Sequence, residues 1–140
     1  MVKGAAFSLG LALVLGAAQA AYPDSVRQRE SRLRPPSTLD CPRDRANLTA
    51  YSGSVIKYAR GSVQTTVQIK TDWDTTEAIV INHKGSDPTK WFLYGGEPLT
   101  PIDWQSIADA GGQLRPGMRA TAWVCSDGSN PIVDWERPKK

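Results

Sequence analysis

From Leu48 onward the chain tends to alternate apolar and polar residues with a period of two, the repeat of a strand that buries one face. The pattern is cleanest over residues 63–70, where Val63, Thr65, Val67 and Ile69 share one side and Gln64, Thr66, Gln68 and Lys70 the other. A strand over residues 53–59 precedes it, joined by the loop Arg60-Gly61-Ser62. The polar turn at residues 72–76 leads into a third strand at 77–82, apolar on both faces and therefore expected in the middle of a sheet. Residues 83–101 lose the pattern among glycines and prolines; Trp91-Phe92-Leu93-Tyr94 there offers either a short strand or a cover for one end of the sheet. Asp103 is expected to cap a short helix running to about Ala110, with Trp104 and Ile107 on one face. Pro116-Gly117 then turns the chain into a strand at 118–125, and Asp127-Gly128 suits a hairpin turn before a closing strand at 132–136.

The order is strand, strand, strand, helix, strand, strand. Together with the phrases GSVIKYA, TTVQIKTDWDTTEAIVI and LRPGMRATAWVCSDGSNPIVDW, it resembles small OB-fold proteins. Leu114, Pro116 and Gly117 are similar to the loop that introduces the fourth strand in that group. The resemblance implies an all-β domain over residues 47–138, a five-stranded closed or partly open barrel with one short helix. Curling a sheet in this way hides the edges that five short strands would leave open. An immunoglobulin-type sandwich is the competing architecture; it would want about seven strands and no helix between the third and fourth.

Composition adds compartment and a boundary. Residues 1–20 read as a secretory leader: Lys3 is a short positive start, an apolar run follows, and Ala18-Gln19-Ala20 fits a cleavage site. The run is too short for the roughly twenty residues of a spanning helix, and no later stretch is a transmembrane candidate. A periplasmic or secreted protein is therefore expected, cleaved after Ala20. In such a compartment Cys41 and Cys125, the two cysteines of the chain, are expected to form one disulfide. Residues 21–46 hold Arg27, Arg29, Arg32, Arg34, Arg43 and Arg45 among prolines and few apolar residues, so a flexible arm is the expectation. From residue 46 onward basic and acidic residues are equal in number, and the charge excess lies in the leader and arm.

Chemistry is sparse. The single histidine, His83, has no serine or cysteine motif to offer it a nucleophile, and the histidine and two cysteines make a zinc site a poor expectation. Asp72, Asp74 and Glu77 lack the spacing of a calcium loop. No metal and no cofactor are expected, and a neutral domain without a basic stripe gives no expectation of nucleic-acid binding. Five tryptophans are the distinctive endowment. OB-folds bind across strands two and three and the adjoining loops. The resemblance thus implies a ligand site at Tyr58, Arg60, Gln68, Lys70, Trp73 and His83, with Trp91 added from the irregular connection. Aromatic faces with arginine and lysine beside them suit stacking on sugars or bases. The function expected is a non-enzymatic binding or adaptor module for an envelope protein or a glycan. The alternative is an inhibitor or immunity protein that plugs an enzyme or toxin.

Overall fold

A computed structural model of the chain describes residues 34–139; the expectations for the leader and for the arm as far as residue 33 lie outside the described residues. Seven strands form one sheet: β1 (Leu48–Arg60), β2 (Gln64–Thr71), β3 (Thr76–Asn82), β4 (Phe92–Tyr94), β5 (Glu97–Pro98), β6 (Arg119–Cys125) and β7 (Ile132–Trp135). Their spatial order is β3-β2-β1-β6-β7-β4-β5, all neighbours antiparallel except the parallel pair β4–β7. Five strands were expected, and the count is corrected by β4 and β5, a short hairpin inside the irregular connection. The ladder stays open between β3 and β5.

β1 organises the sheet because it is long enough to serve two partners. Its first half pairs with β6 and its second half with β2, and Gly53 and Ser54 pair with both. At this crossing a Cβ on Gly53 would overlap the carbonyl oxygen of Lys70, so glycine lets the strands approach. A bulge at Ile56 then shifts the register. The extra residue turns outward, and the buried side of β1 passes from Val55 to Tyr58.

β2 follows the alternation read from the sequence: Thr65, Val67 and Ile69 are fully buried and lie between more exposed neighbours. Val63 departs from it, lying outside the strand and largely exposed. β3 does not lie centrally but at the edge of the sheet. Ile79 and Ile81 are buried, whereas Ala78 and Val80 on its other face meet solvent, so its apolar run is half surface.

The expected helix is a single turn, α1 (Trp104–Ile107). Asp103 caps nothing; its carboxylate accepts from the backbone N–H and hydroxyl of Thr100. Asp109 takes the N–H groups of Gly111 and Gln113, folding the chain back so that Ala108 bridges Leu114. These local side-chain bonds outcompete the next helical turn.

Both faces of the β6–β7–β4 region are covered. Ala120, Ala122, Val133, Trp135, Phe92 and Tyr94 join Val55, Val67, Ile69, Ile79, Ile81 and Ile107 in the main core. On the opposite face Trp123, Cys125, Ile132 and Leu93 pack with Leu39 and Cys41 in a second cluster. The Cys41–Cys125 disulfide lies there, with Cα atoms 6.0 Å apart. Pro35 onward belongs to this one unit, and Leu39 and Cys41 are buried in it.

Candidate functional site

The β2–β3 turn carries the most exposed large hydrophobic side chain among the described residues, Trp73, at 90% exposure. A free indole normally finds cover, so what holds the turn in place matters. Asp74 takes a left-handed φ of 64°, a conformation that aspartate tolerates better than most residues. Below the tip Thr71 and Thr75 are tied three times: backbone N–H to carbonyl at 2.8 Å, hydroxyl to hydroxyl at 2.7 Å, and Thr75 N–H to the Thr71 hydroxyl at 3.2 Å. Asp72 is braced from two sides, its N–H donating to the carbonyl of Ser52 and its carboxylate accepting from Arg119 at 2.8 Å. Arg119 also reaches Glu136 at 3.4 Å, and Lys70 reaches Asp74 at 3.4 Å. Burial works against the charge on Arg119, but the hydrogen bond to Asp72 and the charges of Glu136 and Asp72 hold its pKa above the ordinary value. The turn is a short, stiff presentation of an aromatic ring, flanked by charges already paired.

The other expected site residues fall in separate places. Tyr58 and Arg60 lie on the side of β1 that faces Trp104. The rings of Tyr58 and Trp104 are 5.8 Å apart, the Arg60 guanidinium sits 5.4 Å from the Trp104 ring, and Arg60 also reaches Asp87 at 3.5 Å. Burial raises the Tyr58 pKa against the opposing effect of Arg60. Gln68 and Lys70 are on the opposite face of β2 from the buried Val67 and Ile69. His83 is buried rather than exposed at a strand end, its Nε2 3.1 Å from the Thr65 hydroxyl. Trp91 is half-buried between the two clusters, with the Lys90 ammonium 4.2 Å from its ring centre. The brace residues Arg119 and Glu136 escaped sequence reasoning. Arg119 lies 47 positions from Asp72 and is brought there only by the β1–β6 pairing.

Two open clefts accompany these groups. One, of about 350 Å³, runs between the β1 bulge and the loop before β6, lined by Val55, Tyr58, Leu114, Arg115 and Gly117 among others. The second, of about 340 Å³, is lined by Thr38, Asp40, Lys90, Trp91, Asn130 and Ile132. In the second an aromatic ring lies beside a carboxylate and an amide, but Lys90 covers the ring. Among the described residues no three histidine, cysteine or carboxylate side chains gather to hold a metal ion, and no helix is long and apolar enough to cross a membrane.

Asp134, on β7 beside the β4–β5 hairpin, is a carboxylate on which burial acts clearly. Burial raises its pKa, the N–H of Gly96 at 3.0 Å opposes that, and the charge of Glu136 adds to it. For an acid whose folded pKa is raised, ionisation costs stability at every pH above the folded pKa, and the cost disappears as pH falls below the unfolded value. Asp134→Asn keeps an oxygen for Gly96 and removes the charge. Its melting temperature should exceed the parent's at pH 7, and the two should converge in acid through the ordinary carboxylate range. A parent that is the more stable at pH 7 would contradict this.

No family model, curated protein or solved structure matches the chain.

Proposed function

We propose that this chain is an exported, non-enzymatic binding module that recognises a protein of the cell envelope through the Trp73 turn. The observation that carries the reading is the 90% exposure of Trp73 on a turn braced by Thr71, Thr75, Asp72 and Arg119. Tryptophan is among the residues that dominate the energy of protein interfaces, and a rigid presenter loses little entropy on docking. The leader-like residues 1–20 and the Cys41–Cys125 bond support export to an oxidising compartment. A protein is favoured over a glycan because the aromatic rings lining the two clefts are already engaged, Trp91 by Lys90 and Tyr58 by Trp104 and Trp135.

The scaffold is read as an OB-like barrel in which β1, β2, β3, β6 and β7 are the five principal strands and the β4–β5 hairpin is an addition. Support comes from the core: residues of β3 at one end of the ladder and of β4 near the other belong to the same cluster, as they would in a curled sheet. The Asn130 side chain, from the β6–β7 connection, also bonds both backbone groups of Asn82 at the end of β3. The inhibitor reading shares this surface and differs in what sits on it, an enzyme or toxin instead of an envelope component.

Two measurements test the reading. Trp73→Ala should change folding stability by no more than about 0.5 kcal/mol, as at other exposed sites. It should weaken partner binding by about 2 kcal/mol or more, roughly thirtyfold. A benzophenone amino acid placed at position 73 in the full chain should photo-crosslink one protein of the source cell's envelope. Adducts with no protein, together with unchanged behaviour of Trp73→Ala, would remove the turn from consideration.

A further inference from the structure

β3 pairs with β2 on one side and ends the sheet on the other. His83 donates its N–H to the carbonyl of Val63 at the end of this hairpin, and that bond fixes the alternation along the ladder. Glu77, Ile79 and Ile81 bond toward β2, while Thr76, Ala78, Val80 and Asn82 point their backbone groups away from it. Asn82 confirms the direction. Its N–H donates to Asn130 Oδ1 at 3.0 Å and its carbonyl accepts from Asn130 Nδ2 at 2.7 Å, so a side-chain amide does there what a neighbouring strand would do. Among the described residues nothing plays that part for Ala78 or Val80. Sheet edges are commonly blunted by lysine, proline or a bulge. Positions 76, 78 and 80 instead hold Thr, Ala and Val, and Val80 is 39% exposed.

We propose that the free edge of β3 is a strand-acceptor site, taking an extended segment of a partner protein with alternating β-branched residues. The inference deepens the function proposed above by naming the partner's chemistry, and it rests on that reading only in taking binding as the chain's work. Main-chain bonds to Ala78 and Val80 supply the attachment, and Thr76 and Val80 offer the exposed face against which alternate side chains pack. Asn130 stops the added strand at one end and the Trp73 turn at the other. Asp74 is already paired with Lys70, but Glu77 lies toward the turn with no ion-pair partner among the described residues, so a lysine or arginine at that end of the segment is its complement. A second copy of this chain is the poorer occupant. With Asn82 already held by Asn130, two β3 edges could share only Thr76, Ala78 and Val80, and β3 itself carries no lysine or arginine to set against Glu77 of the other copy.

Amide hydrogen exchange on the full, oxidised chain tests this, with a lysine-flanked synthetic peptide of alternating threonine and valine as the probe. Without probe, Ala78 and Val80 should exchange much faster than Ile79 and Ile81. Saturating probe should slow Ala78 and Val80 by about tenfold or more. Ala78→Pro, which deletes an outward donor, should abolish that slowing, and Val80→Lys gives the same test if the proline variant does not fold. Amides at 78 and 80 already slow in the probe-free monomer, or unmoved by the probe, would overturn the proposal, as would a concentration-dependent dimer that protects them. Probe binding lost in Trp73→Ala but kept in Ala78→Pro would overturn the edge site and leave the turn standing. Protection on β3 with no photo-adduct at position 73 would do the reverse.

Discussion

Replacing Cys41 and Cys125 together by serine is expected to lower the free energy of unfolding by about 4–5 kcal/mol, the chain-entropy value for so long a loop. The two residues are 84 positions apart, so the bond closes most of the described chain into one ring. Marginal domains have roughly 5–15 kcal/mol in total, which makes this loss one of the largest a double substitution can cause. The effect has a local side as well. The segment before β1 is held to the sheet by Leu39 and Cys41 in the second cluster and by the Asp44 turn, whose carboxylate accepts from Ala46 and Asn47. Without the bond, Leu39 alone anchors the segment's buried side, and Trp123 and Ile132 lose part of their cover. Urea unfolding of the oxidised parent against the serine double variant measures the difference. A shift below about 1 kcal/mol would mean that the unfolded chain is already compact enough to gain little from the ring.

The disulfide and the strand alternation were legible because each depends on a local or compositional signal. The period of two in β2 translates directly into a row of buried Thr65, Val67 and Ile69. Edges and braces were not legible, since they depend on which strands meet. EAIVIN looks like a central strand because Val80 and Ala78 are apolar; only the ladder order reveals that their face is open. The helix was overread for a related reason. Trp104 and Ile107 have helical spacing, but Asp103 and Asp109 spend their carboxylates on Thr100 and on the 111–113 turn. The candidate site divides in the same way. Trp73 could be picked out from its polar turn, whereas Arg119 could not, because its pairing with Asp72 exists only once β1 has joined β2 to β6. His83 went the other way: a lone polar residue after a strand reads as surface, yet the Val63 carbonyl draws its backbone in and Thr65 receives its ring.

These features separate two kinds of tryptophan, and the difference decides what each would do if removed. Trp73 is surrounded by solvent and, in the function proposed above, is the residue of recognition. Trp135 is fully buried at the centre of the main core and belongs to folding. It stacks on Phe92 at 6.2 Å, meets Tyr58 edge-on at 5.9 Å, and stands across from Ala120, whose small side chain leaves it room. Trp135→Ala should therefore cost about 3–5 kcal/mol, the range for emptying a large aromatic site in a packed core. The indole also carries a penalty of its own, because its Nε1–H is buried without a hydrogen-bond partner. An unsatisfied buried donor costs about 1–3 kcal/mol. Trp135→Phe deletes that donor while retaining a ring for Phe92 and Tyr58, so its destabilisation should be much smaller than that of the alanine variant. Chemical unfolding of both variants distinguishes the contributions. Equal losses for phenylalanine and alanine would show that the indole's full width carries the packing and that its buried N–H costs the fold nothing.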